Sequence, residues 1–267
     1  MILYPNAKIN LGLYITSKRT DGYHNLETVF YPIPFKDILE LKKSGSDEFV
    51  CTGLAIPEGD NLCTKALELF RSETGIKESV FMHLHKQIPM GAGLGGGSSD
   101  AAFVLKGLNE LFQANLKAEL LSALALKLGA DCPFFILNKP AYAEGLGEQL
   151  SEIDLDLKGF HLVLAHKDLH ISTAKAFSGI QPKDSGLNLR LCMQEPPSFW
   201  KGEVSNDFEQ TVFREEASLA EIKDFLYQQG AAYASLTGTG SVVYGLFPNN
   251  PDLGQEYKGF KLHSFQL

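Results

Sequence analysis

Cysteine is scarce in this 267-residue chain. The four present (51, 63, 132 and 192) form no C-x-x-C pair, and no histidine stands at zinc-finger spacing. That argues against a disulfide framework or a structural zinc site and leaves reduced, mostly buried thiols, as expected of a cytoplasmic protein. Long apolar runs are missing too. Nothing approaches the roughly 18 residues that a bilayer-spanning helix needs, and the N-terminal MILYPNAK lacks the basic-then-apolar pattern of a secretory signal. Positive charge is in deficit, with 24 Lys and Arg against 32 Asp and Glu, a formal net charge of −8. Binding to nucleic acid or an anionic membrane runs on clustered cations, so neither is expected as a bulk partner. With 44% apolar and 21% charged residues and no biased tract, the composition is that of an ordinary globular protein. The length suits two medium domains.

Glycine, by contrast, is concentrated. The stretch PMGAGLGGGSSDAA, from Pro89 to Ala102, holds glycines at 91, 93, 95, 96 and 97, followed at once by Ser98, Ser99 and Asp100. Backbone N–H groups bare of Cβ can all turn towards one ligand, and the N-terminus of a following helix adds about half a positive charge, so the stretch reads as a phosphate cradle. A mobile turn with a serine N-cap is the plainer alternative. Spacing excludes two familiar loops: no lysine follows as in a P-loop, and the strand before it is not the first of the chain as in a Rossmann fold.

Period-two alternation predicts a half-buried strand over residues 7–15, with Lys8 and Asn10 on its polar face, and further strands over 26–33, 37–41, 80–84 and 160–165. Helical spacing predicts helices over about 61–75, capped by Asp60 or Asn61 and by Gly75, from Ser98 or Ser99 onward, over 117–128, 172–178 and 218–229. Two strands are expected around Leu236–Gly240. A shift to acidic and glycine residues near 144–159 places a domain boundary at about residue 150. The mixed order of elements indicates an α+β fold in both halves.

Several residues outside the glycine stretch are chemical candidates. Lys8 is either a solvated lysine or a cation facing a site. Asp131, after Gly129 and before the apolar CPFFI, stands where a buried strand would begin, or is a turn aspartate. Tyr23 and His24 follow an Asp-Gly turn and project as a planar pair. His83 and His85 sit at i, i+2 without an evident third ligand, which favours a solvated strand face over metal. The segment LTGTGS from Leu236 to Ser241 either wraps a phosphate or turns a hairpin.

Taken together, three blocks resemble the GHMP kinases: PNAKINLGL (5–13) with R-x-DGYH (19–24), the glycine stretch with GADCPFF (129–135), and LTGTGS (236–241). The resemblance implies an ATP-dependent small-molecule kinase using Mg²⁺, monomeric or homodimeric. Its N-terminal domain (residues 1–150) would resemble the second domain of ribosomal protein S5, its C-terminal domain (151–267) would be ferredoxin-like, and the site would lie in the cleft between them. Asp131 would be the general base and Lys8 the activating cation. Pro89, Met90, Gly91, Ala92, Gly93, Leu94, Gly95, Gly96, Gly97, Ser98 and Ser99 would hold the ATP phosphates, with Asn61 and Lys86 near the adenine. Within the family the blocks are most similar to members whose acceptor alcohol is a cytidine diphosphate-linked methylerythritol. Tyr23, His24 and Phe177 would then meet the cytosine, with Asn10, Thr239 and Gly240 holding the rest of that substrate. Ser98 and Asp100 are the candidate Mg²⁺ ligands. The stretch His166–His170 departs from the family's usual turn ahead of the block that carries Phe177.

Overall fold

The computed structural model describes residues 1–56, 61–169, 171–183 and 185–267. Its backbone gathers into two compact units that interleave along the chain. Residues 1–8, 35–90 and 95–139 form the first; 9–34, 91–94 and 140–267 form the second. The last passage between them is at Lys139–Pro140, so residue 150 falls inside the second unit, and the glycine stretch itself is shared, 91–94 with the second and Gly95 onward with the first.

In the first unit one sheet runs in the order Ile2–Leu3, Ile38–Lys43, Val80–Lys86, Glu48–Gly53. The first three strands are antiparallel neighbours, and the last lies parallel to Val80–Lys86. Side chains alternate along a strand, so Val80, Met82, Leu84 and, in the same row, Lys86 take the buried face. The helix Leu62–Thr74 begins at Asn61, whose side chain accepts the Cys63 N–H, and ends at Gly75 with φ 72°. Asp60, the other cap candidate, lies outside the described residues. Phe70, Met82, Leu84, Val104, Leu105 and Leu108 meet in the core.

Two elements differ from their expected form. The glycine-loop helix starts at Gly96, ahead of Ser98, because Gly95 turns the chain at φ 70° and its carbonyl already accepts the Ser99 N–H at 2.9 Å. The run after Asp131 is a short helix, Cys132–Leu137, with Asp131 at its N-cap and Pro133 in its first turn. Six apolar residues are too few for periodicity to separate strand from helix, and proline costs nothing in a first turn, where its missing N–H has no partner anyway.

The second unit holds an antiparallel sheet in the order Tyr233–Leu236, Val243–Phe247, His161–His166, Phe260–Gln266, Glu256–Tyr257. Numbered along the chain, its four longer strands stand 2-3-1-4, the ferredoxin-like order; the short strand Glu256–Tyr257 stands where a second crossover helix would be. Helices Phe208–Glu215 and Ala217–Gln228 supply Phe208, Val212, Leu219, Ile222 and Leu226 to the core. A further sheet follows the order Asn6–Lys18, His24–Lys36, Ala141–Glu144, Gln149–Glu152. The hairpin 141–152 takes up the first part of the acidic, glycine-rich segment that composition marked as a boundary; its glycines 145 and 147 make the turn, at φ 71° and 108°. Residues 6–15 are buried without alternation, so the expected solvated face of that strand does not exist.

Candidate active site

In the first unit the structure gathers Lys8, Asp131, Gly95 and Ser98. Lys8 is 3% exposed, and its ammonium lies 3.6 Å from the Asp131 carboxylate, whose side chain keeps about a third of its surface (34%). A solvated lysine is thereby excluded. Burial lowers the Lys8 pKa, and the Asp131 carboxylate works against that shift. A Cβ at Gly95 would stand 2.9 Å from the Phe135 ring and 3.3 Å from Lys8 Cε, so only glycine lets the loop cross here. The Ser98 hydroxyl hydrogen-bonds with the Cys132 thiol, which burial pushes up to about 12. That contact ties the first turn of the glycine-loop helix to the residue after Asp131. Ser99 is fully buried, and its hydroxyl has no partner among the described residues.

Lys86, expected near the adenine, buries its side chain in an ion-pair cluster. Its side chain is 1% exposed, and its ammonium is bound by Asp37 and, at 2.8 Å, by Asp100. Asp100 thus turns Oδ2 to Lys86, while its Oδ1 is buried with no hydrogen-bond partner among the described residues. Asp37 escaped the sequence reading. Its signal was indirect: Lys86 falls in phase with Val80, Met82 and Leu84, and a lysine in a buried row requires a carboxylate.

In the second unit Asn10 is a hub. Its Oδ1 accepts the Gly238 N–H at 3.0 Å, its Nδ2 donates to Thr28 Oγ1 at 2.9 Å, and its backbone N–H donates to Thr237 Oγ1 at 3.1 Å. Thr237 in turn donates to the Gly93 carbonyl at 3.1 Å, so residues 91–94 lie against the turn Thr237–Gly240 that joins two strands of the ferredoxin-like sheet. Thr239 is half-buried at that turn, and the Gly240 N–H closes it on the Thr237 carbonyl at 3.0 Å. At Gly93, φ is 79° and a Cβ would stand 1.9 Å from the Thr237 carbonyl oxygen. Gly93→Ala is thus expected to cost more than about 1 kcal/mol of stability, read from the denaturant midpoint, and to displace the loop.

The Asp-Gly turn is built by Asp21, which accepts the Tyr23 N–H at 3.1 Å and pairs with the Arg19 guanidinium at 2.9 Å. Tyr23 stands out from it, 63% exposed. His24 stacks on Phe177 with ring centroids 5.0 Å apart, and Phe177 meets Phe208 edge-on. No base fits between His24 and Phe177 at that spacing. His170, in the stretch that departs from the family pattern, lies outside the described residues. His83 and His85 share the Thr52 hydroxyl at 2.9 and 3.0 Å, and no metal-holding group of three His, Cys, Asp or Glu occurs among the described residues. Among those residues no helix is long and apolar enough to cross a membrane.

Residues 61–139 match the family model described as "GHMP kinases N terminal domain", and residues 199–260 match "GHMP kinases C terminal". The chain belongs to the GHMP kinase family. This GHMP kinase is 52% identical over 254 residues to the 4-diphosphocytidyl-2-C-methyl-D-erythritol kinase of Bacteroides fragilis (strain YCH46), covering 92% of each chain. To the protein of the same name from Bacteroides thetaiotaomicron it is 47% identical over 273 residues, covering 100% of this chain and 99% of that one. A crystal structure of 4-(cytidine 5'-diphospho)-2C-methyl-D-erythritol kinase superposes with a TM-score of 0.79 at 34% identity, over 92% of this chain and 90% of that one. Streptococcus pneumoniae phosphomevalonate kinase, 14% identical with a TM-score of 0.69 over 100% and 99% of the chains, shares the fold. The α+β class and the two-part GHMP kinase architecture are therefore those expected from the motifs. The N-terminal match takes in the glycine loop, Lys86 and Asp131, but neither Lys8 nor Asp37.

Proposed function

We propose that this GHMP kinase transfers the γ-phosphate of ATP to the 2-hydroxyl of 4-diphosphocytidyl-2-C-methyl-D-erythritol, giving the 2-phosphate and ADP, in the non-mevalonate route to isoprenoid precursors. The observation that carries the chemistry is the Lys8–Asp131 pair, a buried cation 3.6 Å from a part-exposed carboxylate, beside Gly95 at the head of the loop helix. The acceptor is supported by the near full-length likeness to proteins of that name.

Phosphoryl transfer asks the protein mainly to align the acceptor and to neutralise charge on the moving group. In this reading Asp131 accepts the proton of the 2-hydroxyl as its oxygen bonds to the γ-phosphorus and the bond to the β–γ bridging oxygen breaks. Lys8 orients Asp131 and steadies the charge that develops. The backbone N–H groups of Gly91 to Gly97, with Pro89, Met90, Ala92, Leu94 and the Ser98 and Ser99 turn, hold the phosphates, and Asn61 stands by the adenine. Mg²⁺ would arrive with the nucleotide and offset phosphate charge. A serine hydroxyl or a carboxylate suits a hard cation that takes few protein oxygens, and Ser98 and Asp100, whose Oδ1 has no hydrogen-bond partner among the described residues, are the candidate ligands. Tyr23 stacks on the cytosine, with the His24–Phe177 pair as its neighbour. Thr239 and Gly240, held through the Asn10 network, face the diphosphate. The domains are read as 1–150 and 151–267, with the two family matches falling one in each. The partners are small molecules, and the location is the cytoplasm, where ATP is made available.

Coupled measurement of ADP release with the cytidyl substrate, mevalonate and homoserine tests the assignment; no release with the first would overturn it. Tyr23→Ala is expected to raise the acceptor KM about tenfold, as loss of one base–aromatic stack should, with a smaller change in kcat. An unchanged KM would remove Tyr23 from the cytosine site.

A further inference from the structure

Three buried ionisable side chains cluster in the first unit, and burial pushes the Asp100 carboxyl up to about 8. The side chains of Asp37, Lys86 and Asp100 are 0%, 1% and 3% exposed. One Asp37 oxygen binds the Lys86 ammonium, and the other accepts the backbone N–H groups of Gln87 at 2.5 Å and Ile88 at 2.9 Å. The Asp37 N–H itself donates to the Pro5 carbonyl at 2.8 Å, which anchors the aspartate to the chain just ahead of Lys8. Lys86 carries the connection on to Asp100 at 2.8 Å, in the second turn of the helix that starts at Gly96. Residues 87 and 88 lead into the glycine loop and Asp100 follows it, so the three side chains join its two ends. Between them the loop packs down closely: a Cβ at Gly96 would stand 2.9 Å from Lys86 Nζ.

Stability is a poor reason for such a cluster. Desolvating such groups is costly, and apolar residues of similar volume commonly serve a core as well or better. What an ionic cluster adds is direction, because each bond works over a narrow range of position. We propose that Asp37, Lys86 and Asp100 are positioning residues that fix both ends of the glycine loop and so set its affinity for the nucleotide's phosphates. The inference rests on the reading of that loop as the ATP-phosphate site. In this proposal the Lys86 side chain acts through the loop.

Three variants test it by calorimetric titration with the Mg²⁺ complex of a non-hydrolysable ATP analogue, alongside acceptor KM and thermal unfolding. Asp100→Leu severs the connection yet leaves Lys86 paired with Asp37. Binding of the analogue should weaken about tenfold or more while acceptor KM stays within about twofold. Asp100→Asn keeps an oxygen for the Lys86 ammonium and should restore most of the affinity. The double variant Lys86→Met with Asp100→Leu leaves Asp37 its two backbone donors and strands no ammonium, so it should fold. It should bind the analogue as Asp100→Leu alone does, since both remove one connection. Wild-type affinity in Asp100→Leu with only a lowered unfolding temperature would overturn the proposal, as would a double variant far weaker than Asp100→Leu, which would mean that Lys86 touches the nucleotide. Failure of the unaltered protein to bind the analogue would instead overturn the ATP reading of the loop, and the inference with it.

Discussion

Asp131→Asn is expected to lower turnover by at least about 10²-fold while the KM values for ATP and acceptor stay within about twofold. Asparagine keeps the size and one oxygen of the side chain but cannot take the acceptor's proton, so the loss falls on the transition state. The geometry makes the variant a clean one. Asp131 occupies the N-cap position of the Cys132–Leu137 helix but makes no side-chain capping bond, so its removal leaves no helix end unsatisfied. Its carboxylate is part-exposed, and the change buries no new polar group. Turnover is measured as ADP release at saturating acceptor and Mg-ATP; a wild-type rate would remove Asp131 from the mechanism.

Lys8→Met should cost about 10² to 10³ in turnover, the scale of losing one preorganised charge at a reacting centre, and should weaken binding of the phosphate-bearing substrates as well. Two further readouts separate it from simple unfolding. Burial lowers the pKa of Lys8 below its usual 10.5, with Asp131 opposing. The charged form is the active one in this reading, so wild-type activity should decline as pH rises through that lowered pKa, and the methionine variant should lack this alkaline limb. Stability moves the opposite way. Between the lowered pKa and 10.5 the unfolded chain binds more protons than the folded one, so folding stability rises with pH across that window. Below it the full penalty of burying the ammonium is present. At neutral pH Lys8→Met is therefore expected to melt higher than the wild type, a stability gain from removing a functional charge. A lower melting temperature together with an unchanged pH profile would show that Lys8 serves only the fold.

Features settled within a few residues of one another were legible beforehand. Asn61 and Gly75 bound their helix because a side-chain acceptor and a residue free to adopt positive φ are local requirements. The glycine run marked a loop of bare backbone, and Gly93 and Gly95 add a reason that the sequence did not give, each standing where a Cβ would strike another segment. The three motif blocks carried the family. Less legible were elements whose local pattern is ambiguous. The six apolar residues after Asp131 could have been strand or helix, and the strand Glu48–Gly53 has too short an apolar run to declare itself before a neighbour pairs with it.

Tertiary structure alone decided which charges meet. Nothing near Lys86 in sequence announces Asp37, 49 positions earlier, and nothing near Asn10 announces Thr237, 227 positions on. Periodicity placed Lys8 on a polar face, but whether that face meets water or a carboxylate depends on what the chain later lays against it. Capping and turn preferences act through one or two bonds of backbone and can be read residue by residue. Burial of a charge becomes tolerable only when partners from distant segments arrive together, and their arrival is a property of the folded path.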